Sequence, residues 1–262
     1  MIKAIFFDVD GTLLSFKTHR VPESAVSALK RAKEKGIKLF VASGRRKADI
    51  DQAGLPDVFD GFVTLNGGRC VLADGNVVFQ RYIAPQDIER LIAMQGTPEA
   101  FPCVLVTEEK LYINFINDDL LRLEAMLNLP MPRPESLEKW ADVARSGVSQ
   151  MLWFFSPERE EGLMKHFPDC RVQRWSDLFA DVIPAGVGKD VGISRVVNYL
   201  GIRLDDTMAF GDGGNDISML HHVGTGVAMG DAPQMVKEAA DYVTASADED
   251  GIALALEHFG LL

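Results

Sequence analysis

Short apolar runs recur along the first eighty positions, and each stops at a small or polar cluster. Ile2-Lys3-Ala4-Ile5-Phe6-Phe7 is brief and mostly β-branched or aromatic, the pattern of a strand buried on both faces of a parallel sheet. It stops at Asp8-Val9-Asp10-Gly11-Thr12. Residues 37–42 repeat the pattern and stop at Ser43-Gly44-Arg45; residues 62–65 stop at Asn66-Gly67-Gly68. Between the first two runs, Pro22 and Glu23 open a helix whose last turn is basic and which Gly36 ends. Strand, helix, strand is the crossover unit of a parallel sheet. Val71-Leu72-Ala73 and Val77-Val78-Phe79 around Asp74-Gly75-Asn76 predict a hairpin, a small ribbon beside the strand ends.

Near residue 84 the pattern changes to a mixture of helices and antiparallel-looking strands. Helices are predicted at 85–95, 117–127 and 157–167, and strands at 103–106, 111–116, 149–155, 170–175 and 179–183. The apolar stripe of the second helix is Leu120, Leu121, Leu123, Met126 and Leu127. Trp153, Phe154, Phe155 and Phe167 read as packing residues. Crossover logic returns after Pro184. A helix starts at or near Lys189 and ends at Gly201, the strand 207–210 runs into Gly211-Asp212-Gly213-Gly214-Asn215-Asp216, and a helix over 217–223 follows. The expected fold is α/β: a doubly wound, mainly parallel sheet built from 1–83 and 184–262, with an inserted α+β unit over 84–183.

Composition narrows the class. The 262 residues are 47% hydrophobic and 25% charged, and no apolar run approaches the roughly 20 residues that span a bilayer. The first apolar run is interrupted by Asp8 and Asp10, which is not a secretory leader, so the expected compartment is the cytoplasm. A net charge of −11 argues against nucleic acid or an anionic membrane as partner, and leaves open a small anionic substrate held by local cations. Cys70, Cys103 and Cys170 lack ligand or disulfide spacing and are expected as reduced, buried thiols. Oligomeric state is not legible.

The strand ends hold the candidate chemistry. Open α/β sheets bind ligands at the carboxyl ends of their strands, and two carboxylates one residue apart repel unless a cation or a shared proton intervenes. Asp8 and Asp10 after the first strand are either a solvated turn or a nucleophile with an acid/base partner. The Ser43 hydroxyl, with the N–H groups of a helix expected to begin near Gly44, could hold a phosphate oxygen; the plainer reading is that Ser43 caps that helix. Arg45 is placed to reach an anion. Asn66 reads first as a turn residue. Lys189 at a helix start opposes the macrodipole and asks for an anionic partner. Asp212, Asn215 and Asp216 on a Gly-rich turn offer hard oxygen ligands of the kind magnesium selects, completing a set with Asp8.

The series DVDGT, SGR, a lysine before a helix and GDGGND, each at a strand end and in that order, closely resembles the haloacid dehalogenase superfamily of phosphotransferases over the whole chain. With the insert, the spacing is similar to its Cof-type sugar-phosphate phosphatases. The resemblance implies Asp8 as the nucleophile that becomes an aspartyl phosphate and Asp10 as general acid/base. Ser43, Gly44, Lys189 and Asn215 would bind the phosphoryl group. Mg2+ would sit among Asp8, the Asp10 carbonyl, Asp212 and Asp216. Thr12 would order the loop. Where this chain has Gly188 and Asp190 around Lys189, the family often has Ser and Gly, which touches only local loop detail.

Dehalogenase chemistry needs neither the second carboxylate nor magnesium. A phosphomutase, or a phosphatase for a non-sugar phosphate such as a phosphorylated cofactor, is the nearer rival; a receiver-type phospho-acceptor module needs no hundred-residue insert. The insert is expected to act as a cap hinged near Ala84 and Pro184 that sets substrate choice. Asp181, a carboxylate in the apolar run Ala180 to Ile183, is its candidate hydroxyl reader, as either a solvated strand residue or a paired acceptor; Arg45 could pair with it or grip the substrate directly, and Asn66 is a further candidate substrate contact.

Overall fold

The computed structural model describes residues 1–127, 131–174 and 177–262, without the side chains of Asp119, Leu123, Ala125, Met126 and Leu127. The chain forms two compact units, Met1–Gln80 with Val187–Leu262, and Arg81–Gly186.

The first unit opens with β1 (Ala4–Phe7), α1 (Glu23–Glu34), β2 (Lys38–Ala42), α2 (Lys47–Gln52) and β3 (Gly61–Thr64). The hairpin expected as a small ribbon is β4 (Arg69–Leu72) and β5 (Val77–Gln80), and it pairs with β3 to extend the main sheet. The helix expected to begin near Gly44 begins at Lys47, because Ser43 turns the chain first by accepting the Arg45 N–H at 3.2 Å.

The second unit follows, with α3 (Pro85–Gln95), β6 (Cys103–Val106), β7 (Leu111–Ile113), α4 (Asp118–Leu127), α5 (Leu137–Arg145), β8 (Gln150–Trp153), α6 (Glu160–Met164), β9 (Cys170–Gln173) and β10 (Ala180–Pro184). Its antiparallel sheet has the order β7-β6-β8-β10-β9. Its core packs Leu91, Trp140, Trp153 and Phe167, all fully buried, with the Trp153 and Phe167 rings 4.7 Å apart edge to face. Helix α5 was not foreseen. Ser136 caps the helix through the Lys139 N–H at 3.2 Å, and Trp140 and Ala144 fasten it to the core. In α4, Leu120 is buried but Leu121 is exposed, so Leu121 is not in the apolar stripe. Leu123, Met126 and Leu127 of that stripe, and Trp175 of the expected strand, lie outside what is described.

The chain returns to the first unit as α7 (Lys189–Leu200), β11 (Thr207–Gly211), α8 (Ile217–His222), β12 (Thr225–Ala228), α9 (Gln234–Lys237), β13 (Tyr242–Val243) and α10 (Gly251–His258). Among the described residues the sheet has eight strands, β13-β12-β11-β1-β2-β3-β4-β5, parallel from β13 to β3. Successive side chains of β1 and β2 alternate in facing. Ile5, Phe7, Leu39 and Val41 meet α1 and α10, while Ala4, Phe6, Phe40 and Ala42 meet α7 and α8. Helices on both faces explain why these strands are apolar without alternation. Each buried Phe contributes about 1.5–3 kcal/mol, enough to hold the strand ends in fixed register. Among the described residues no helix is long and apolar enough to cross a membrane.

Candidate active site

Register sets the site. Phe7 pairs with Phe210 on one side and Val41 on the other, so Asp8, Asp212 and Ser43 leave the sheet at the same edge. The Asp8 N–H continues the ladder by donating to the Phe210 carbonyl at 2.9 Å. After Asp8 the chain coils tightly: Leu13 N–H donates to the Asp8 carbonyl, Leu14 N–H to Val9, and Gly11 N–H to Leu14. Gly11 is required at this point. Its φ is +85°, and a β-carbon there would lie 2.3 Å from Asp212 Oδ2. Thr12 Oγ1 donates to Asp212 Oδ1 at 2.8 Å, so the loop carrying Asp8 also holds the β11 carboxylate.

Lys189 is the centre of the cluster. It is the first residue of α7 and is 0% exposed, with Nζ 2.6 Å from Asp8 Oδ1 and 2.5 Å from Asp216 Oδ1. These are the anionic partners that a lysine at a helix start calls for. Asp216 uses its other oxygen to accept the N–H groups of Asp212 at 3.0 Å and Gly213 at 2.8 Å, which closes the turn over β11. The α7 start is itself fixed by close packing, since a β-carbon on Gly67 (φ +91°) would lie 1.9 Å from the Gly188 carbonyl oxygen.

Burial pulls the Lys189 ammonium toward neutrality, but Asp216 and Asp8 outweigh it and its pKa is raised. Burial likewise pushes the Asp8 carboxyl well above its ordinary value; Lys189 opposes that, and Asp216 and Asp212 add to it. Asp212 is pushed up to about 7, by burial first, against the Thr12 hydrogen bond and with Asp216 adding to the rise. Asp8, Asp212 and Asp216 each offer an oxygen, all within 4.8 Å of one another, around one ammonium. The raised pKa values of Asp8 and Asp212 mark a cluster with too little positive charge, and three hard oxygen donors in that space fit a hard divalent cation.

The other expected residues fall into three groups. Ser43 is buried, and Asn66 packs on the Gly44 backbone, where a β-carbon would meet the amide at 3.1 Å. Asn66 is more than a turn residue: it takes the left-handed conformation (φ +51°), is 0% exposed, and accepts from Asn215 Nδ2 at 3.1 Å, so the two amides join the β3 and β11 ends. Asp10 stands outside the three-carboxylate cluster. Arg45 grips it with Nε to Oδ2 at 2.8 Å and NH2 to Oδ1 at 2.6 Å, a partnership not foreseen for either residue. Asp181 belongs to the second unit, on β10. It is buried rather than solvated, and Gln150 Nε2 donates to its Oδ1 at 3.5 Å. The three cysteines are free and buried.

A family model described as haloacid dehalogenase-like hydrolase matches residues 5–256. The structure is similar to that of BT1666 from Bacteroides thetaiotaomicron, a protein treated among phosphatases of the haloalkanoate (HAD) enzyme superfamily, with a TM-score of 0.93 and 37% identity, covering 100% of this chain and 96% of that one. It is also similar to the HAD subclass IIB sugar phosphatase BT4131, with a TM-score of 0.85 and 38% identity over 99% of this chain and 100% of the other. In sequence it is 34% identical over 264 residues to YkrA of Bacillus subtilis (strain 168), a phosphatase by name, covering 99% of this chain and 98% of that protein.

Proposed function

The chain belongs to the haloacid dehalogenase-like hydrolases as a phosphatase, and from that premise we propose that it hydrolyses small phosphorylated metabolites, hexose phosphates first, through an aspartyl phosphate on Asp8. The observation that carries this reading is Lys189, fully buried between Asp8 and Asp216 with Asp212 completing the cluster. A carboxylate at a strand end, facing a lysine ion-paired to two carboxylates, suits attack on a phosphate that would otherwise repel it.

Asp8, Asp212, Asp216 and the Asp10 carbonyl would hold Mg2+, which when bound supplies positive charge against the phosphate oxygens. Asp216 also accepts from Lys189, Asp212 N–H and Gly213 N–H, so it fixes the lysine and the turn as well. The Asp8 carboxylate attacks phosphorus in line. Lys189 and the Ser43 hydroxyl bind the phosphoryl oxygens, with the Gly44 backbone and the Asn215 amide beside them. Asp10 in its protonated form gives that proton to the leaving alkoxide and, deprotonated by the step, takes one from the water that hydrolyses the acyl phosphate, returning Asp8. The second unit selects the substrate, with the Asp181 carboxylate as its hydroxyl acceptor.

The sugar-phosphatase relative at 38% identity supports sugar phosphates as the substrate class. The test is release of inorganic phosphate across a panel of phosphorylated metabolites in magnesium. Hexose phosphates are expected to lead. Turnover confined to phosphorylated cofactors, or transfer of the phosphate within the substrate without release, would overturn the reading.

A further inference from the structure

The loop after the Asp8–Thr12 turn carries an aromatic ring whose position the chemistry above does not use. Its anchor is Ser15, 1% exposed, whose Oγ donates to Asp248 Oδ1 at 2.6 Å and accepts the N–H groups of Lys17 at 3.0 Å and Thr18 at 3.1 Å. Ser15 N–H donates to the Arg20 carbonyl at 3.1 Å, and His19 N–H donates to the Ser15 carbonyl at 2.9 Å. Lys17 Nζ adds an ion pair to Asp248 at 3.3 Å. The loop is therefore pinned at both ends, and Phe16, next to the anchor, is held in place while 60% exposed.

Single exposed apolar side chains are ordinary on a protein surface. Tyr199 and Met235 are about as exposed as Phe16, so exposure alone does not single it out. Its position does. A β-carbon on Gly11 would lie 2.5 Å from the edge of the Phe16 ring and 2.3 Å from Asp212 Oδ2, so ring and carboxylate converge on the same glycine, one residue after Asp10. An anchored, exposed aromatic ring beside the acidic cluster supplies the apolar contact that ligand sites combine with a few polar groups.

We infer that Phe16 is the platform on which the ring of a pyranose phosphate stacks while its phosphate lies at Asp8. The negative face of an aromatic ring matches the weakly positive C–H face of a pyranose, and the hydroxyls at the sugar's rim stay free for polar partners. An open-chain polyol phosphate keeps hydroxyls at the same carbons, gains one where the ring oxygen was, and has no flat C–H face. The inference rests on the sugar-phosphate reading and adds to it the ring form of the substrate.

The test compares glucose 6-phosphate with sorbitol 6-phosphate, its open-chain counterpart, in the wild-type enzyme and in Phe16→Ala, Phe16→Leu and Phe16→Tyr. The KM ratio of cyclic to open-chain substrate should rise about three- to tenfold in Phe16→Ala, stay raised in Phe16→Leu and return in Phe16→Tyr. If Phe16 only shields the Gly11 turn, both substrates lose alike and kcat falls with them, which overturns the inference. An unchanged ratio overturns it as well. A wild-type enzyme that turns over neither sugar phosphate refutes the sugar reading, and the platform with it, whereas an active wild type with an insensitive Phe16 refutes the platform alone.

Discussion

Arg45 holds both carboxylate oxygens of Asp10, at 2.6 and 2.8 Å, and so fixes the direction in which the proposed acid/base points. The side chains are 35% and 45% exposed, so as a surface ion pair this contact is worth only about 0.2–1 kcal/mol of stability. Its consequence is positional. Arg45→Ala should unfold at nearly the wild-type temperature and lose about 10- to 100-fold in kcat on a hexose phosphate, whose alkoxide needs a proton, while losing much less on p-nitrophenyl phosphate, whose leaving group does not. Equal losses on both substrates, or a rise in KM alone, would show that Arg45 acts by gripping the substrate.

Lys189 offers a test of stability separate from turnover. Lys189→Met leaves Asp8 and Asp216 buried without their shared cation, and breaking a buried pair from one side costs about 3–5 kcal/mol. Denaturant melts should show that loss without magnesium and recover part of it in saturating MgCl2. A variant as stable as the wild type in metal-free buffer would contradict the electrostatic account of the cluster.

Metal binding should divide the aspartates. Asp212 belongs to the three-carboxylate cluster, whereas the Asp10 side chain is paired with Arg45 outside it. Magnesium at a hundredfold excess over its dissociation constant adds about 2.7 kcal/mol to the folded state. The thermal midpoint of Asp10→Ala should therefore still rise with MgCl2, and that of Asp212→Asn should not. Comparable responses would mean that the cation sits elsewhere, and turnover surviving EDTA would mean that none is needed.

The thiols make a simpler case. Burial pushes Cys70 up to about 12 and raises Cys103 and Cys170 as well, so at pH 8 all three stay neutral and unreactive. Ellman's reagent should label none in the folded protein and all three in guanidinium. Rapid labelling of the native protein would show that a cysteine region opens readily.

The strand ends were legible because buried parallel strands announce themselves as short apolar runs, and each run here stops on a residue the site contains: Asp8, Ser43 and Asp212. Lys189 was legible for a different reason, its conflict with the helix dipole. Arg45 was not, because a basic cluster after a serine reads equally as a solvated face, and only the fold brings it to Asp10, 35 residues earlier. Asn66 was undervalued since Asn-Gly is also the commonest turn signal, and its amide partner Asn215 is 149 residues distant. Helix α5, between two segments with stronger patterns, had its own marks in Ser136 at the cap and Trp140 on the core face. Phe16 had no signal of its own. A lone aromatic in a polar loop acquires meaning only when Gly11 and Asp212 are found beside it.

The central claim is that Asp8 itself becomes phosphorylated. The direct measurement is rapid quenching in acid during turnover, followed by mass spectrometry of the peptide that contains Asp8. One phosphoryl group on Asp8, labile to hydroxylamine and missing in a catalytically dead Asp8→Asn variant, is the predicted result. Full turnover with no phosphoryl group on that peptide under any quench time, or an Asp8→Asn variant that retains more than a trace of activity, would contradict it.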